Sequence, residues 1–512
     1  MLILGAALVY THRLDYVPAH LGFDEVYFAL NAHSIATTGR GTDGTFLPLY
    51  FYIGPLVWYQ PTLVYAMAMV FTVLPVSEVT ARLPTVLAGL TDVGLVYFVA
   101  RAMFKREVLA FAAAVLMAVT PAHFLMSRQA LDYILPVPYI LVWLWCLASF
   151  ANRPRPWLIA AGTAALGFGF YTYMASVLMM PIYFAMTVAF VLLSDVKPKT
   201  RYLVEPLAFV VPLLPLAPWL FMHPTAYADQ IARYHIYDVK RFSPLQGAKE
   251  FVNYVSLQQR IAMYWGYLGP NYLFVSGGIK MTMTTRRVGV FLMPLAVFLP
   301  VGIYQMLTKR RDPFGRLLVA GFLTAPAAAL LIDDAFAIDR EMNMLPFGVL
   351  LATFGVGHLL DSVQRWVRIL AIALLALIPV EFAYFYQDYF GDYRARSAEW
   401  FAPNVRGGLE AILAREDPTQ PSRIYLDLEI GNVENYWTFY LIKHHRGDLK
   451  AQTTYIRSDS FDVGAIPSRS FVFTEAKAPW HRDLVARKEL SPVLAVPEAG
   501  GGDPLYVLLQ RP

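Results

Sequence analysis

The sequence predicts a polytopic α-helical membrane bundle of about eleven spans, followed by a small C-terminal α/β domain. Three observations carry that expectation. Of 512 residues, 57% are hydrophobic and only 15% charged, with a mean hydropathy of +0.46, whereas soluble domains run near a quarter charged and under half apolar. The charge is unevenly spread: 32 charged residues fall in the 125 from Asp388 onward, against 47 in the preceding 387. Basic residues also recur in every second loop between apolar stretches, as the positive-inside rule requires. The composition excludes ordinary soluble enzymes, secreted disulfide scaffolds and disordered chains.

Apolar stretches long enough to span, or nearly so, run at about 82–104, 107–125, 133–150, 157–174, 175–193, 201–222, 287–307, 316–332, 342–360 and 367–386. The opening MLILGAALVY is too short to span and lacks the basic n-region and cleavage site of a signal peptide. It reads as a partly embedded first helix or as the end of one that begins upstream. Five loops are basic: Lys105 and Arg106; Arg153 and Arg155; Lys197, Lys199 and Arg201; Lys309, Arg310, Arg311 and Arg316; Arg365 and Arg368. These are expected in the cytoplasm. Parity then puts the loop around Asp132, the loops 223–286 and 333–341, and the tail outside. The segment before residue 82 joins them if 59–76 (YQPTLVYAMAMVFTVLPV) lies on the membrane surface or re-enters it.

The expected division is a membrane-embedded domain over 1–387, with outward loops at about 11–81 and 223–286, and a soluble extracytoplasmic domain over 388–512. In that tail RIYLDL (423–428), FVFTE (471–475) and PLYVLLQ (504–510) read as strands, while GGLEAILARE (407–416) and ENYWTFYLIKHH (434–445) read as helices. The net charge of +5 comes from the body, 27 basic against 20 acidic, since the tail holds 15 against 17. That surplus is a topology signal, and no nucleic-acid partner is expected. The single cysteine, Cys146, rules out an intrachain disulfide and leaves the redox compartment unread.

The most informative stretch is HLGFDEVYFALNAHSIATTGR (20–40). Its adjacent carboxylates, Asp24 and Glu25, could serve only the dipole of a helix start. Their company points further. Asp132 lies within HFLMSRQALDY (123–133) on the same side of the membrane, and DDAFAIDRE (333–341) supplies Arg340 as a cation. Charges at membrane depth are costly and face a cavity or a partner. Acids and arginines converging at the membrane–water boundary suit transfer of a sugar from a lipid phosphate. That reaction needs a base for the acceptor hydroxyl and a cation for the departing phosphate.

FDEVYFALNAHSIATTGR (23–40), FLPLYF (46–51), YQPTLVY (59–65), ARLPTVLAGL (81–90) and FVARAMF (98–104) resemble the opening of polyprenyl-phosphate-dependent glycosyltransferases. This is the GT-C group, family 39 type, that includes protein O-mannosyltransferases and the lipid A aminoarabinose transferase. SRQALDYILPVPYILVWLW (127–145), LGFGFYTYMASVLMMP (166–181) and DREMNMLPFGVLLATFGVGHLL (339–360) extend the likeness over 20–360. The resemblance implies a GT-C architecture, a polyprenyl-phosphate sugar as donor, and an acceptor that is a protein, a glycolipid or a glycan. It makes Asp24 the catalytic base with Glu25 beside it, Asp132 an acid that shapes the site, and Arg340 a contact of the carrier phosphate. A divalent metal, held by Asp24 and Glu25, is left open. Where relatives often carry Lys-Pro-Pro, this chain has Gln60-Pro61-Thr62, which removes a cation.

Arg128 is a second candidate for the phosphate, against the ordinary reading of a snorkelling anchor. His33, Tyr59 and Asp339 are candidates for shaping the substrate site. His223, Arg233, His235, Lys240 and Arg241 would together line an acceptor groove. Asp92, Glu205 and Glu381 are expected to bond between helices, and His444-His445 to be a solvated helix end. The plasma (inner) membrane is the expected location, with the site facing outward. A transporter or flippase of a lipid-linked substrate is the alternative, although no paired repeats with interrupted helices are found. An assembly subunit is a third reading.

Overall fold

The computed structural model describes all residues except 55–56, 197–201, 203–204, 239, 311, 418 and 458–465. Lys197, Lys199, Arg201, Arg311 and the side chain of Glu205 therefore lie outside the described residues. The chain divides into two compact units, Met1–His12 with Asp43–Ala66 and Arg82–Gln387, and Arg13–Thr42 with Met67–Ala81 and Asp388–Pro512. The tail thus begins where the charge density changes, but it folds with two segments from the chain's beginning.

Among the described residues, five helices are long and apolar enough to cross a membrane: Glu78–Phe104, Asp132–Asn152, Ser176–Leu193, Pro313–Leu331 and Arg365–Phe390. Glu107–Ala118 and Pro121–Ser127, joined through a 59° bend, are together as long and apolar, the form of a broken span or a re-entrant loop. The other apolar stretches form shorter helices, so the expected eleven spans do not appear as eleven long ones. Proline explains much of the difference, because it cannot donate to the preceding turn. Pro121 starts a new helix after the bend. The stretch 201–222 becomes three short helical pieces, Glu205–Phe209, Val211–Leu213 and Leu216–Met222, punctuated by Pro212 and Pro215. The stretch 287–307 turns helical only at Leu295, behind Pro294. Within 59–76 the helix is Pro61–Phe71, 11 residues, or about 16 Å at 1.5 Å per residue, too short to span. The outer face of Arg365–Phe390 exposes Trp366, Ile369, Ile372 and Leu377, as a helix facing lipid does. The protein is a membrane protein.

Two glycines permit the closest helix contact. A Cβ on Gly302 would run into the Leu351 carbonyl oxygen, and one on Gly355 into the Phe298 carbonyl oxygen. The helices Leu295–Gln305 and Met344–Leu360 therefore pack backbone to backbone through small residues, a membrane-helix device. Gly355→Val is expected to lower stability by about 1–3 kcal/mol, the scale of overpacking, read as a lower melting temperature of detergent-purified protein. The buried polar groups also pair as expected. Asp92 Oδ2 lies 3.2 Å from His123 Nε2, whose Nδ1 lies 2.8 Å from the Tyr10 hydroxyl. Glu381 accepts from the Met293 amide at 2.9 Å.

In the second unit the tail forms a five-stranded sheet. After the hairpin β1 (Phe51–Gly54) and β2 (Val57–Tyr59) of the first unit, its strands are β3 (Ile424–Asp427), β4 (Thr453–Ile456), β5 (Phe471–Glu475), β6 (Ser491–Ala495) and β7 (Tyr506–Gln510). Their order is β4-β3-β5-β7-β6, with β3 parallel to β4 and β5 and β7 antiparallel to β5 and β6. The helices Val405–Arg415 and Val433–Lys443 fall within a residue or two of the expected bounds. The strands β4 and β6 are short edges, and β6 carries Pro492, a residue tolerated only there. Glu78 fastens Met67–Ala81 to this domain by pairing with Lys443 at 3.0 Å and Arg406 at 3.4 Å. His444, expected to be solvated, pairs with Glu410 at 2.8 Å.

Candidate active site

The first unit builds its polar centre from the turn Ile338–Glu341, which precedes the helix Met344–Leu360. Arg340 Nε lies 3.3 Å from Asp339 Oδ2, which also accepts from the Tyr173 hydroxyl at 2.7 Å. The guanidinium sits over two aromatic faces, 5.1 Å from the Tyr173 ring centroid and 5.3 Å from that of Tyr234. Asp132 opens the neighbouring turn, Asp132–Ile134, and is 6% exposed. Tyr133 beside it packs edge-on against Tyr173 at 5.2 Å. Three separate stretches of sequence thus meet: 127–145, the YTY segment, and 333–341.

Arg340 lines a cavity of about 450 Å³ whose other walls include Tyr50, Phe170, Met174, Trp219 and Ile231, and among the described residues it is the only charged one in the lining. Its five N–H donors meet one carboxylate partner among the described residues, so most of the fork can serve a ligand. Apolar walls keep water away and strengthen its pull on an anion. Glu341 is buried, and the Tyr272 hydroxyl donates to it at 2.9 Å. Burial pushes its carboxyl well above the usual carboxylate range, the Tyr272 hydrogen bond opposing and Asp339 adding to the shift.

Arg128 has no exposed surface and donates to the Tyr10 carbonyl at 2.5 Å. It is tied into the packing and does not line the Arg340 cavity. Tyr59 is not a lining residue either. It ends the strand β2, where side chains alternate, and its neighbours Trp58 and Gln60 face the cavity instead. Of the loop 223–286, the lining comes from Ala226, Gln230, Ile231, Tyr234, Ile236 and Tyr237, while Arg233, His235, Lys240 and Arg241 take no part in it. His223 packs on Trp219 and Trp58 and lines an adjoining aromatic cavity. Tyr173, Tyr234, Trp219 and Glu341 escaped the sequence reading. The YTY run was visible, but nothing in its spacing marked Tyr173 as the partner of Asp339.

The second unit carries the acidic pair. The helix Phe23–Thr38 begins at Gly22, whose amide donates to Glu25 at 2.7 Å. Glu25, fully buried, is thus the third-position acid of a capping box. Asp24, one residue earlier, is half-buried and keeps part of its surface. The two adjacent carboxylates therefore point to different work. His33, further along this helix, lines a cavity of about 840 Å³ with Phe71, Leu441, His445 and Lys450, and burial lowers its pKa. One oxygen of Glu25 is engaged at the Gly22 amide. Among the described residues no group of three or more His, Cys, Asp or Glu could hold an ion.

The fold is similar to that of solved GT-C membrane proteins. Residues 59–221 match the dolichyl-phosphate-mannose-protein mannosyltransferase family. Over 99% of this chain and 97% of the other, the structure resembles ArnT from Cupriavidus metallidurans bound to undecaprenyl phosphate, at 15% identity and a TM-score of 0.59. Its apo state gives 16% and 0.56. The archaeal oligosaccharyltransferase AglB from Archaeoglobus fulgidus, in complex with an inhibitory peptide and a dolichol-phosphate, gives 14% and 0.51 over 87% of this chain and 63% of that one. No curated protein matches by sequence. The resemblance to GT-C glycosyltransferases of the family 39 type, read from the motifs, is borne out.

Proposed function

We propose that this protein is an integral-membrane glycosyltransferase that moves a sugar from a polyprenyl-phosphate donor to an acceptor outside the cytoplasm. The observation that carries the reading is Arg340, the single cation among the described residues of an apolar cavity, in a fold whose neighbour was crystallised with undecaprenyl phosphate. The prenyl chain takes the apolar walls and its phosphate takes the guanidinium. An acceptor oxygen attacks the anomeric carbon as the bond from that carbon to the phosphate oxygen breaks, with inversion. The leaving electron pair stays on the phosphate, where Arg340 stabilises it. The acceptor's proton passes to Asp24 as general base. Asp339 and the Tyr173 hydroxyl hold the guanidinium in place, and Asp132 shapes the site beside them. The 388–512 domain and the site face outward from the plasma membrane, and the acceptor is a protein, a glycolipid or a glycan.

The test is reconstitution in liposomes with a panel of undecaprenyl-phosphate and dolichyl-phosphate sugars, scoring release of the free carrier. Release from at least one donor is expected, with loss of a glycan in the deletion strain naming the acceptor. No release from any donor in active-fold protein sinks the reading. The outward orientation has its own check. Cys146 is 2% exposed, so background labelling is low. Single cysteines placed at 24 and 340 are expected to react with a membrane-impermeant maleimide added outside intact cells. Reaction from the cytoplasmic side alone would reverse the topology.

A further inference from the structure

We propose that the C-terminal sheet is the mount of the catalytic base: the loop after β3 clasps the start of the helix Phe23–Thr38 and sets where Asp24 stands. This rests on the reading of Asp24 as the base. The sheet's topology locates the clasp. From β3 the chain passes through Val433–Lys443 to β4 on one side, then returns to β5 on the other. Open α/β sheets bind their ligands at the carboxyl ends of the strands where the order reverses in this way. Here Thr474 on β5 donates to Asp427 Oδ2 at 2.6 Å, tying the ends of β5 and β3 together. Asp427 Oδ1 then accepts from the Glu429 amide at 3.1 Å and shapes the loop.

What that loop and the following helix hold is not a small molecule but the segment around Asp24. Tyr436, 2% exposed, donates its hydroxyl to the Leu21 carbonyl at 2.7 Å. Its ring meets Phe23 edge-on at 5.9 Å, and Gly431 faces the same Phe23 ring. Asn432 accepts from the Tyr27 hydroxyl at 3.1 Å. It does so from a left-handed backbone, φ 56°, that asparagine tolerates and most residues do not. Leu21, Phe23 and Tyr27 bracket Asp24 on both sides along the chain. Neither Tyr436 nor Asn432 touches a reacting atom, so both are positioning residues, acting through Asp24.

The test uses the full chain in liposomes, with dolichyl-phosphate mannose as donor probe and amide exchange as a second readout. Tyr436→Phe removes the hydroxyl tie. Asn432→Gly keeps the left-handed backbone but removes the acceptor, while Asn432→Asp keeps both and serves as the rescue. In the double variant Tyr436→Phe/Asn432→Gly, kcat for carrier release is expected to fall about tenfold, the scale of two neutral hydrogen bonds. The KM for the donor stays unchanged, amides at 23–28 exchange faster, and those of β5 do not. Asn432→Asp stays near wild type. Unchanged kcat and exchange in the double variant, beside an inactive Asp24→Asn, overturn the clasp alone. Full activity in Asp24→Asn overturns the base reading and the clasp's role with it.

Discussion

Replacing Arg340 with methionine is expected to cut kcat/KM by on the order of several hundredfold, with a parallel loss of affinity for undecaprenyl phosphate. The size follows from the site. Truncating one partner of a buried, hydrogen-bonded charge pair costs about 2–5 kcal/mol, and among the described residues no second cation lines this cavity to take over. Methionine keeps much of the apolar stem, so the walls stay packed. Two further variants separate binding from folding. Arg340→Lys keeps the charge but not the planar fork, and an intermediate loss of about tenfold fits a point charge replacing a bidentate donor. Arg340→Met alone also leaves Asp339 buried without its guanidinium, a destabilising state. Adding Asp339→Asn, which removes that stranded charge and can still accept from Tyr173, is expected to restore the melting temperature but not donor binding. Titration of undecaprenyl phosphate into the three purified variants decides the point. Wild-type affinity in Arg340→Met would remove Arg340 from the donor site.

Much of the polar centre around Arg340 was legible from the chain, because DREMNMLP, the Asp132 loop and the YTY run each stand out as polar or aromatic breaks in apolar sequence. The lining was not. Trp58 and Gln60 face the cavity in place of Tyr59 because the segment is a strand, and a one-residue difference decides the face. Arg128 could be recognised as an arginine at a helix end. That its guanidinium reaches Tyr10, more than a hundred residues away, is a tertiary fact with no local signature. The same holds for the units. Composition changes at Asp388, yet Arg13–Thr42 and Met67–Ala81 join the tail through contacts such as Glu78–Lys443 and Tyr436–Leu21. Each is a single ion pair or hydroxyl bond across hundreds of residues. The apolar stretches run longer than the helices for another reason: hydropathy windows average over Pro121, Pro212, Pro215 and Pro294, which interrupt the helical run without lowering the apolar content.

The adjacent carboxylates pose the sharpest question, and substitution separates them. Asp24→Asn is expected to lower kcat by about 10²–10⁴-fold, the range of a lost general base, with little change in the donor KM or the melting temperature. Asparagine preserves shape and can still accept at a helix start, so what it removes is the capacity to take a proton. Glu25→Gln is expected to be nearly silent. Its amide oxygen still accepts from Gly22, and glutamine completes a capping box as glutamate does. Glu25→Ala removes the cap and should cost about 1 kcal/mol of stability, visible in the melting temperature before it is visible in kcat. The pattern is therefore a large kinetic effect with little thermal effect at position 24, and the reverse at 25. It arises because the capping bond from Gly22 commits Glu25 to the fold, while Asp24 retains exposed surface on the same turn. A larger kcat loss in Glu25→Gln than in Asp24→Asn would exchange the two roles and place the base at the buried carboxylate.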